Sequence, residues 1–325
     1  MITRLFAGTL AAALLLAGCS KGDDTVGEGP TTPAIDTNVS PLTGLKQSGP
    51  PDNPVYMVKI ENTGGGEPQY GLNHADMVVE EFVEFDVTRL AAFFYSDLPT
   101  KVGHVRSTRT TDVGLAKPAN ATLVASGGDD EPLKAVKDAG IKFYTYDLDD
   151  PGWSKDPNKV APYHVLWNLQ TLNKVAQKTA PTRSYFEFGD GPAASDVTKK
   201  TTSAKVAFVP ATVTGWRYNG STWERSPERA APGENFKADT MVVLLGRVKD
   251  AGYGAQHGAF VPEIVLEGSG PAIIFSGDTA TKAVFHKQGK DGTMSFTSEK
   301  SGKAIGLKPG RVWLEAAPRD AVVTY

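Results

Sequence analysis

The sequence predicts an α+β protein of 325 residues, with a mixed α/β domain over residues 41–200 and a β-rich domain over residues 201–325. In the first domain, β-branched and aromatic runs alternate with segments of helical spacing, which is typical of mixed α/β structure. In the second domain, short strand-like runs are separated by Gly, Pro and Asp, and helical periodicity is nearly absent. This second pattern predicts a mainly antiparallel β domain.

The chain begins with the pattern of an export signal, MITRLFAGTLAAALLLAGCS. Arg4 precedes an apolar run that is too short to span a bilayer as a permanent helix but suits a signal peptide. The run ends in Leu-Ala-Gly-Cys, which resembles a bacterial lipobox, so we predict a signal peptide over residues 1–18 and lipidation of Cys19. An ordinary signal peptide that happens to contain a cysteine is the alternative. Acyl chains on Cys19 would anchor the protein to the extracytoplasmic face of the cell membrane.

Composition narrows the possible functions. Residues 19–40 lack aromatic side chains and are rich in Gly, Pro, Thr and Asp, which predicts a disordered tether. Cys19 is the only cysteine. Once it is lipidated, no disulfide can form within the chain and no thiol is left for catalysis, which excludes cysteine transpeptidases and thiol proteases. The net charge of −3 gives no electrostatic reason to expect nucleic-acid binding.

Strands and short helices are predicted in alternation in the first domain. The strands are expected at 55–62, 78–85, 88–96, 121–127 and 141–147. A short helix is expected over 129–140, where aspartates can cap its start and a glycine can end it. The helical spacing of Leu169, Leu172 and Val175 predicts a second helix over 168–180.

Strand-like runs fill the second domain, from AKVAFVP at 204–210 to GRVWLEAA at 310–317. The dipeptide Asn-Gly at 219–220 lies between two alternating runs and predicts a β-hairpin with a type I′ turn, in which both central residues have positive φ. Trp216, Tyr218 and Trp223 flank this turn, and the sequence pattern suggests that their side chains are exposed. Cross-strand packing explains them more simply than sugar stacking does.

Familiar catalytic and metal-binding signatures are missing from the sequence. There is no Ser-x-x-Lys, no Gly-x-Ser-x-Gly and no His-Glu-x-x-His motif. The stretch DLDDPGWSKDPN at 147–158 resembles a calcium-binding loop, but Pro151 and Asn158 occupy two positions that require ligands. An acidic Pro/Gly loop is the simpler interpretation, so we predict no metal and no cofactor.

Glu80 and Glu84 form the first candidate site. On the predicted strand they share one face and lie about 7 Å apart at the usual rise per residue. Such a spacing would suit acid/base chemistry in a glycosidase cleft. It would equally suit ion pairs with Arg89, Arg106 or Arg109, which are the more common role of carboxylates on a half-exposed strand.

The basic stretch KVGHVRSTRT at 101–110 forms the second candidate site. If it is a loop that enters a helix near Thr110, its hydroxyls and free backbone amides would lie beside Arg106 and Arg109. Guanidinium groups and a helix N-terminus together suit an anion. The alternative is that both arginines pair with the neighbouring glutamates and hold the strand in place.

Four stretches resemble the YerB-like lipoproteins of Gram-positive bacteria: PLTGL at 41–45, QYGLNHADMVVEEFVEFDVTRLAAFF at 69–94, KVGHVRSTRT at 101–110 and APYHVLW at 161–167. In that family the arginine block reads Gly-Pro-Val-Arg-Ser-Ala-Arg, and here it reads Gly-His-Val-Arg-Ser-Thr-Arg. The family's Ala-Pro-His-Asn block stands here as Ala-Pro-Tyr-His, which moves the histidine by one place, to His164. The resemblance implies a lipoprotein with an N-terminal and a C-terminal domain, and it supplies no reaction.

Two function classes fit these observations. The first is a non-catalytic envelope protein that binds an anionic cell-wall ligand or a partner protein. Its predicted binding residues are Arg106, Ser107, Arg109 and His164. The second is a cell-envelope hydrolase or transferase that uses Glu80 or Glu84 as acid or base. One cleft holding both carboxylates would favour the second class, whereas closed pairs with arginines would favour a structural role. We favour the first class.

Overall fold

A computed structural model describes residues 36–254 and 258–325. The predicted signal peptide, Cys19 and most of the predicted tether lie outside these described residues. Within them, no helix is long and apolar enough to cross a membrane. The described residues form one compact unit.

The fold is mostly β, with mixed and antiparallel sheets. The strands are β1 (Tyr56–Glu61), β2 (Met77–Phe82), β3 (Thr88–Phe94), β4 (Val102–Gly103), β5 (Thr122–Val124), β6 (Phe143–Tyr144), β7 (Trp153–Lys155), β8 (Val165–Trp167), β9 (Lys199–Lys200), β10 (Ser203–Val209), β11 (Thr212–Tyr218), β12 (Trp223–Ser226), β13 (Thr240–Asp250), β14 (Pro262–Val265), β15 (Gly268–Ser276), β16 (Thr279–Lys287), β17 (Met294–Ser298), β18 (Ala304–Ile305), β19 (Val312–Pro318) and β20 (Val322–Thr324). The α-helices are α1 (Thr111–Ala116), α2 (Asp130–Asp138) and α3 (Leu169–Asn173). Single 3₁₀ turns lie at Gly64–Gly66, Leu72–His74, Glu84–Asp86, Lys117–Ala119, Tyr146–Leu148 and Ala194–Asp196.

One large mixed sheet runs through both predicted domains, in the order β18-β17-β16-β15-β13-β19-β2-β3-β1-β5-β6. Its centre is β19, which pairs in parallel with β13 on one side and with β2 on the other. Every residue of β19 is buried, as expected for a parallel strand that is covered on both faces. The C-terminal strand therefore joins the two halves of the chain into one sheet.

A four-stranded antiparallel sheet, in the order β12-β11-β10-β20, belongs to the second half. Strand β10 alternates exposed and buried residues along its first part, so one face of this sheet packs on the core. Trp216 on β11 meets Trp313 on β19 edge to face, with ring centroids 5.1 Å apart. A third sheet, β4-β8-β7, is small and antiparallel.

The prediction of a mixed α/β first domain is only partly supported, because its helices are short. The predicted helix over 168–180 ends at Asn173. Leu169 and Leu172 are buried, but Val175 is 61 % exposed, so the third apolar side chain of the pattern has no core to pack against. Helix α2 lies where it was predicted, and its C-terminal Gly140 has the positive φ of 68° expected there.

The predicted strand over 78–85 is too long. Strand β2 ends at Phe82, and the chain then forms the 3₁₀ turn Glu84–Asp86 before β3 returns antiparallel to β2. Phe85 and Asp86 both take left-handed φ values, of 62° and 57°. The prediction that Glu80 and Glu84 share one strand face is therefore wrong, because Glu84 belongs to the turn.

The predicted hairpin after β11 is present, but its turn is of another type. Tyr218 pairs with Trp223, which leaves a four-residue loop rather than a two-residue turn. Gly220 has a φ of 100°, whereas Asn219 does not take a positive φ. Instead, the side-chain oxygen of Asn219 accepts hydrogen bonds from the backbone N–H groups of Ser221 and Thr222, and these close the loop.

The aromatic residues beside this loop are buried, contrary to the exposed appearance of the sequence. Trp216 is 2 % exposed and Trp223 is fully buried. The ring of Trp223 packs on Tyr218 across the strand pair and on Phe275 of β15. Cross-strand packing is thus confirmed, and these rings belong to the core rather than to a sugar-stacking surface.

Candidate functional site

A cleft of about 600 Å³ opens where the basic segment at 106–109 meets the turn between β2 and β3. We call it the arginine cleft, because three guanidinium groups line it. These belong to Arg89, Arg106 and Arg109. Other lining residues are Glu61, Glu84, Phe85, Ser107, Ser126, Asp129, Asp147 and Tyr163. The end of β1, the start of β3 and the turn between β2 and β3 contribute Glu61, Arg89 and Glu84, and loop segments carry the other charged groups.

Arg106 pairs with Glu61, the last residue of β1. Glu61 also accepts hydrogen bonds from the backbone N–H groups of Asn62 and Thr63, at 3.1 and 3.0 Å. The guanidinium carbon of Arg106 lies 5.0 Å from the ring centroid of Tyr163, a cation–π distance. The side chain of Arg106 is 16 % exposed, which makes it the most accessible arginine of the cleft.

Arg109 forms a bidentate pair with Glu84 through Nε, at 2.7 Å, and Nη2. Burial opposes the ionisation of Glu84, but the hydrogen bonds and charge of Arg109 outweigh it and lower the pKa of Glu84 to about 2. Both side chains are less than 10 % exposed. The pair is therefore closed and ionised.

Arg89 lies on β3 at the floor of the cleft and has no carboxylate of its own. Its nearest carboxylate oxygen, on Glu84, is 3.8 Å from Nη2 and already binds Arg109. Its Nη1 donates to the backbone oxygen of Ser107 at 3.2 Å, and its buried Nε has no partner among the described residues. Burial and the charges of Arg109 and Arg106 lower the pKa of Arg89 to about 10. Glu61, Glu84, Asp129 and Asp147 also line the cleft, so four carboxylates accompany the three guanidinium groups, and Arg89 is the arginine that has no carboxylate of its own.

The predicted role of the helix N-terminus in this cleft is wrong. Helix α1 begins at Thr111 and has only six residues. The carboxylate of Asp112 accepts from the backbone N–H of Arg109 and from the hydroxyl of Thr108, both at 2.8 Å. The carboxylate of Asp112 therefore occupies the start of the helix, and Thr110 and Thr111 do not line the cleft, which leaves the guanidinium groups and the hydroxyls of Ser107 and Ser126 for an anion.

Beneath the cleft lies a fully buried charge cluster of Lys59, Glu81 and Asp112. The ammonium of Lys59 binds both carboxylates, with 2.7 Å to Asp112. Burial and the neighbouring charge of Asp112 raise the pKa of Glu81 to about 7, although Lys59 acts in the opposite direction. The cluster holds the segment that carries Arg109, because Asp112 binds both that segment and Lys59.

A second cavity, of about 270 Å³, adjoins the arginine cleft, and Thr63 and Val87 line both. We call it the hydroxyl-lined cavity. Its hydroxyl groups belong to Thr63, Thr88, Thr212, Thr214 and Ser226. Glu80 and Arg225 also line it. The cavity lies between residues of the first half, at 62–64 and 87–88, and residues of the second half, at 211–215 and 225–229.

Glu80 is held in this cavity by hydrogen bonds to one of its carboxyl oxygens. Its Oε1 accepts hydrogen bonds from Asn62, Thr88 and Thr214 at 2.8–3.0 Å. Its Oε2 is buried and has no partner among the described residues.

Glu315 on β19 lies opposite Glu80 in the parallel register. Burial and the charge of Glu80 raise the pKa of Glu315 well above its ordinary value. Two fully buried carboxyl groups at adjacent positions cannot both ionise without a large cost, so this pairing favours the protonated form of Glu315.

Arg225 on β12 completes the polar walls of the hydroxyl-lined cavity. Its guanidinium donates to the side-chain oxygens of Asn62 and Gln69, at 2.8 and 2.5 Å. It lies over the ring of Trp313, 4.7 Å from the centroid. Its Nε is buried without a partner among the described residues, and burial lowers its pKa.

The structure brings some predicted site residues together and separates others. Arg106, Ser107 and Arg109 line one cleft, but His164 is not among its lining residues. The ring of His164 packs against Tyr146, with centroids 6.2 Å apart, because the strand that begins at Val165 turns this segment towards β7. Glu84 lines the arginine cleft, and Glu80 lines the neighbouring cavity.

Sequence reasoning did not identify several residues in and beside the two cavities. Glu61, Arg225 and Glu315 carry no motif, and Arg89 was considered only as an ion-pair partner. Charged side chains inside otherwise apolar strands, as in TRLAAFF and VWLEAAP, were the available signal. The described residues contain no group of three or more His, Cys, Asp or Glu side chains that could hold a metal ion.

Two family models match the chain. The N-terminal domain of a protein family of unknown function, DUF3048, matches residues 42–183, and its C-terminal domain matches residues 204–314. The chain belongs to the DUF3048 family. The predicted resemblance to YerB-like lipoproteins is confirmed by the relatives of this family member.

Among these relatives is YerB of Bacillus subtilis (strain 168), which is described as a candidate lipoprotein. It is 33% identical to this DUF3048 member over 144 residues, which span 43% of each chain. The crystal structure of YerB from Bacillus subtilis matches with a TM-score of 0.73 at 20% identity, covering 88% of this chain and 99% of that one. This structural likeness establishes the fold.

Proposed function

We propose that this DUF3048 protein is a lipid-anchored, extracytoplasmic binding protein that takes an anionic group of its ligand in the arginine cleft, without catalysing a reaction. The anchor is supported by the lipobox-like sequence before Cys19 and by the description of the relative YerB as a candidate lipoprotein. The ligand belongs to the cell envelope in this proposal, as a wall polymer or an envelope protein with carboxylate or phosphate groups.

The observation that carries this proposal is the guanidinium of Arg89, which has no carboxylate of its own. It is 3 % exposed, shares its nearest carboxylate with Arg109, and keeps Nε without a partner among the described residues. Buried charges are normally paired, because an unpaired one has lost its hydration. An anionic group in the cleft would pair with this guanidinium, and the hydroxyls of Ser107 and Ser126 would donate to it.

The alternative of a hydrolase or transferase that uses Glu80 and Glu84 has less support. The two carboxylates lie in different cavities rather than on opposite sides of one substrate site. Glu84 is closed in its pair with Arg109, and a pKa near 2 suits neither a general acid nor a strong base near neutral pH.

The binding proposal is tested with the full chain purified in detergent. Titration calorimetry with trigalacturonate and with oligomeric glycerol phosphate should show binding that weakens as salt rises. Arg106→Gln should weaken it roughly 10-fold or more, the loss expected for one charge-assisted hydrogen bond. Arg183→Gln, at a half-buried arginine outside both cavities that pairs with Asp291, is the matched control and should leave binding unchanged. Binding that Arg106→Gln leaves intact, or no binding of any anion, would overturn the proposal.

The anchor is tested separately by expressing Cys19→Ser in a bacterial host. The wild-type chain should fractionate with the membrane and incorporate labelled palmitate, whereas Cys19→Ser should lose the label. A wild-type chain that takes up no lipid would show that the leader is an ordinary signal peptide.

A further inference from the structure

We infer that the hydroxyl-lined cavity is a second subsite of the same groove, which takes an uncharged, hydroxyl-bearing part of the ligand. Together with the arginine cleft it would select an acidic saccharide. The inference rests on the proposed function for the acidic group and adds the chemical class of the rest of the ligand.

The two cavities are neighbours in one surface groove. Thr63, which follows β1, and Val87, which precedes β3, line both of them. Both residues are only half-buried, so the partition between the cavities is low and reaches solvent. A ligand held in the arginine cleft can therefore extend past Thr63 and Val87 into the hydroxyl-lined cavity.

The hydroxyl-lined cavity offers a buried acceptor and a buried donor, and neither has a partner among the described residues. The acceptor is Oε2 of Glu80 and the donor is Nε of Arg225. Both side chains are less than 5 % exposed and both line the cavity. Buried polar atoms are normally satisfied, so an unpaired acceptor and donor in one cavity point to a polar group that is supplied from outside.

This pair of free atoms selects a neutral hydroxyl over an ion. A hydroxyl both donates and accepts, so it matches the chemistry of either atom. A second anion would be repelled by Glu80, and a cation by Arg225. The surrounding threonine and serine hydroxyls add further donors and acceptors with no net charge.

The size and edges of the groove agree with a saccharide of a few units. About 270 Å³ is close to the lower limit of typical ligand pockets, and about 600 Å³ lies within their range. Phe85 stands at the rim of the arginine cleft, 58 % exposed, where an aromatic face is free to pack on the apolar face of a sugar ring.

The test blocks the hydroxyl-lined cavity from its rim, without touching its buried network. Ala211 is an exposed residue that lines this cavity but not the arginine cleft. Ala211→Trp would fill the opening, and Ala194→Trp, at an exposed alanine outside both cavities, is the matched control. Thermal unfolding of each variant verifies that the fold is kept.

The probes are three acidic oligosaccharides (trigalacturonate, a hyaluronan tetrasaccharide and the disaccharide of N-acetylglucosamine and N-acetylmuramic acid), with tricarballylate as an acid that has no hydroxyl groups. We expect Ala211→Trp to weaken the binding of at least one acidic saccharide by roughly 10-fold, which corresponds to the loss of one or two hydrogen bonds. The binding of tricarballylate should be unchanged. Arg106→Gln should weaken the binding of the acidic saccharides and of tricarballylate.

The outcomes separate the two proposals. If the acids bind and Arg106→Gln weakens them, but Ala211→Trp changes no saccharide, the second subsite is refuted and the arginine cleft stands. If no acid binds, but neutral maltotriose binds and Ala211→Trp weakens it, the hydroxyl subsite stands and the anionic function fails. If nothing binds, both fail.

Discussion

The arginine cleft and the hydroxyl-lined cavity are neighbours, yet they treat their glutamates in opposite ways. In the arginine cleft, Glu84 faces two guanidinium groups and its pKa falls to about 2. Beside the hydroxyl-lined cavity, burial and the neighbouring carboxylate of Glu80 raise the pKa of Glu315 well above its ordinary value. Burial raises the pKa of both carboxyl groups, whereas the charged neighbours act in opposite directions. The comparison shows that the direction in which the pKa of a buried carboxyl group moves depends on its charged neighbours.

The same contrast separates a closed charge pair from an open site. Glu84 and Arg109 satisfy each other, and neither is available without breaking the pair. Glu80 and Arg225 each form hydrogen bonds with other side chains, and each has one buried atom without a partner among the described residues. The cleft therefore offers charge through Arg89, whereas the cavity offers hydrogen bonds.

The largest effect should come from breaking the closed pair. Glu84→Gln leaves Arg109 buried without its carboxylate, and we expect a loss of about 3–5 kcal/mol in the free energy of unfolding. Urea denaturation of the full chain measures it. Asp138→Asn, which breaks an exposed pair on α2, is the control and should have no measurable effect. A loss for Glu84→Gln as small as that of the control would show that the buried pair of Glu84 and Arg109 does not stabilise the fold.

The next effect is a pH dependence from Glu81, under the cleft. Its pKa is raised from 4.5 to about 7, so the folded state binds the proton more tightly than the unfolded chain. This stabilisation is complete below pH 4.5 and is lost as pH rises through 7, for a total of about 3 kcal/mol. The difference between wild type and Glu81→Gln, measured by urea denaturation from pH 4 to 8, should show this fall. A difference that is flat with pH would contradict the raised pKa.

A smaller effect should distinguish the two members of the carboxyl pair. Glu80→Gln removes the charge that accepts three hydrogen bonds, and it should cost about 1.5–3 kcal/mol. Glu315→Gln imitates the protonated form and keeps an oxygen for Trp216, so it should cost less at pH 7 and become relatively more stabilising at higher pH. Equal losses for the two variants would mean that the proton is not held by Glu315.

The smallest effect concerns the rim of the cleft. Phe85 has φ 62° and ψ 27°, a left-handed conformation that costs a residue other than glycine about 1–2 kcal/mol. Phe85→Gly should raise the free energy of unfolding by up to about 1 kcal/mol and weaken saccharide binding. Phe260→Gly is the control, because Phe260 is similarly exposed but has no positive φ. Stability that falls equally in both variants would argue against backbone strain at Phe85.

Local patterns were sufficient for many elements of the fold. The alternation of VYMVKIEN and TRLAAFFYS predicts β1 and β3, and Gly140 marks the end of α2. Such signals lie within a few residues of each other, so the sequence displays them directly. The helix predicted over 168–180 failed because its length depended on whether distant core residues would cover Val175.

The candidate site was visible in part. The basic segment at 106–109 identified Arg106, Ser107 and Arg109, which do line one cleft. The pairing of Glu80 was not visible, because its neighbour Glu315 is 235 positions away in the chain and reaches it through the parallel register of β2 and β19. A sheet register that joins distant strands leaves no mark on local spacing.

By itself, the amino-acid sequence determined the lipobox-like leader, the family motifs and most strands of this protein, because each depends on neighbouring residues. Its composition determined that Cys19 is the only cysteine. The tertiary structure alone decided which carboxylate meets which cation. Strand β19 enters between β13 and β2 and so places Glu315 beside Glu80, while the turn after β2 directs Glu84 to Arg109. Charge interactions act across a few ångströms of space, and only the folded chain sets those distances.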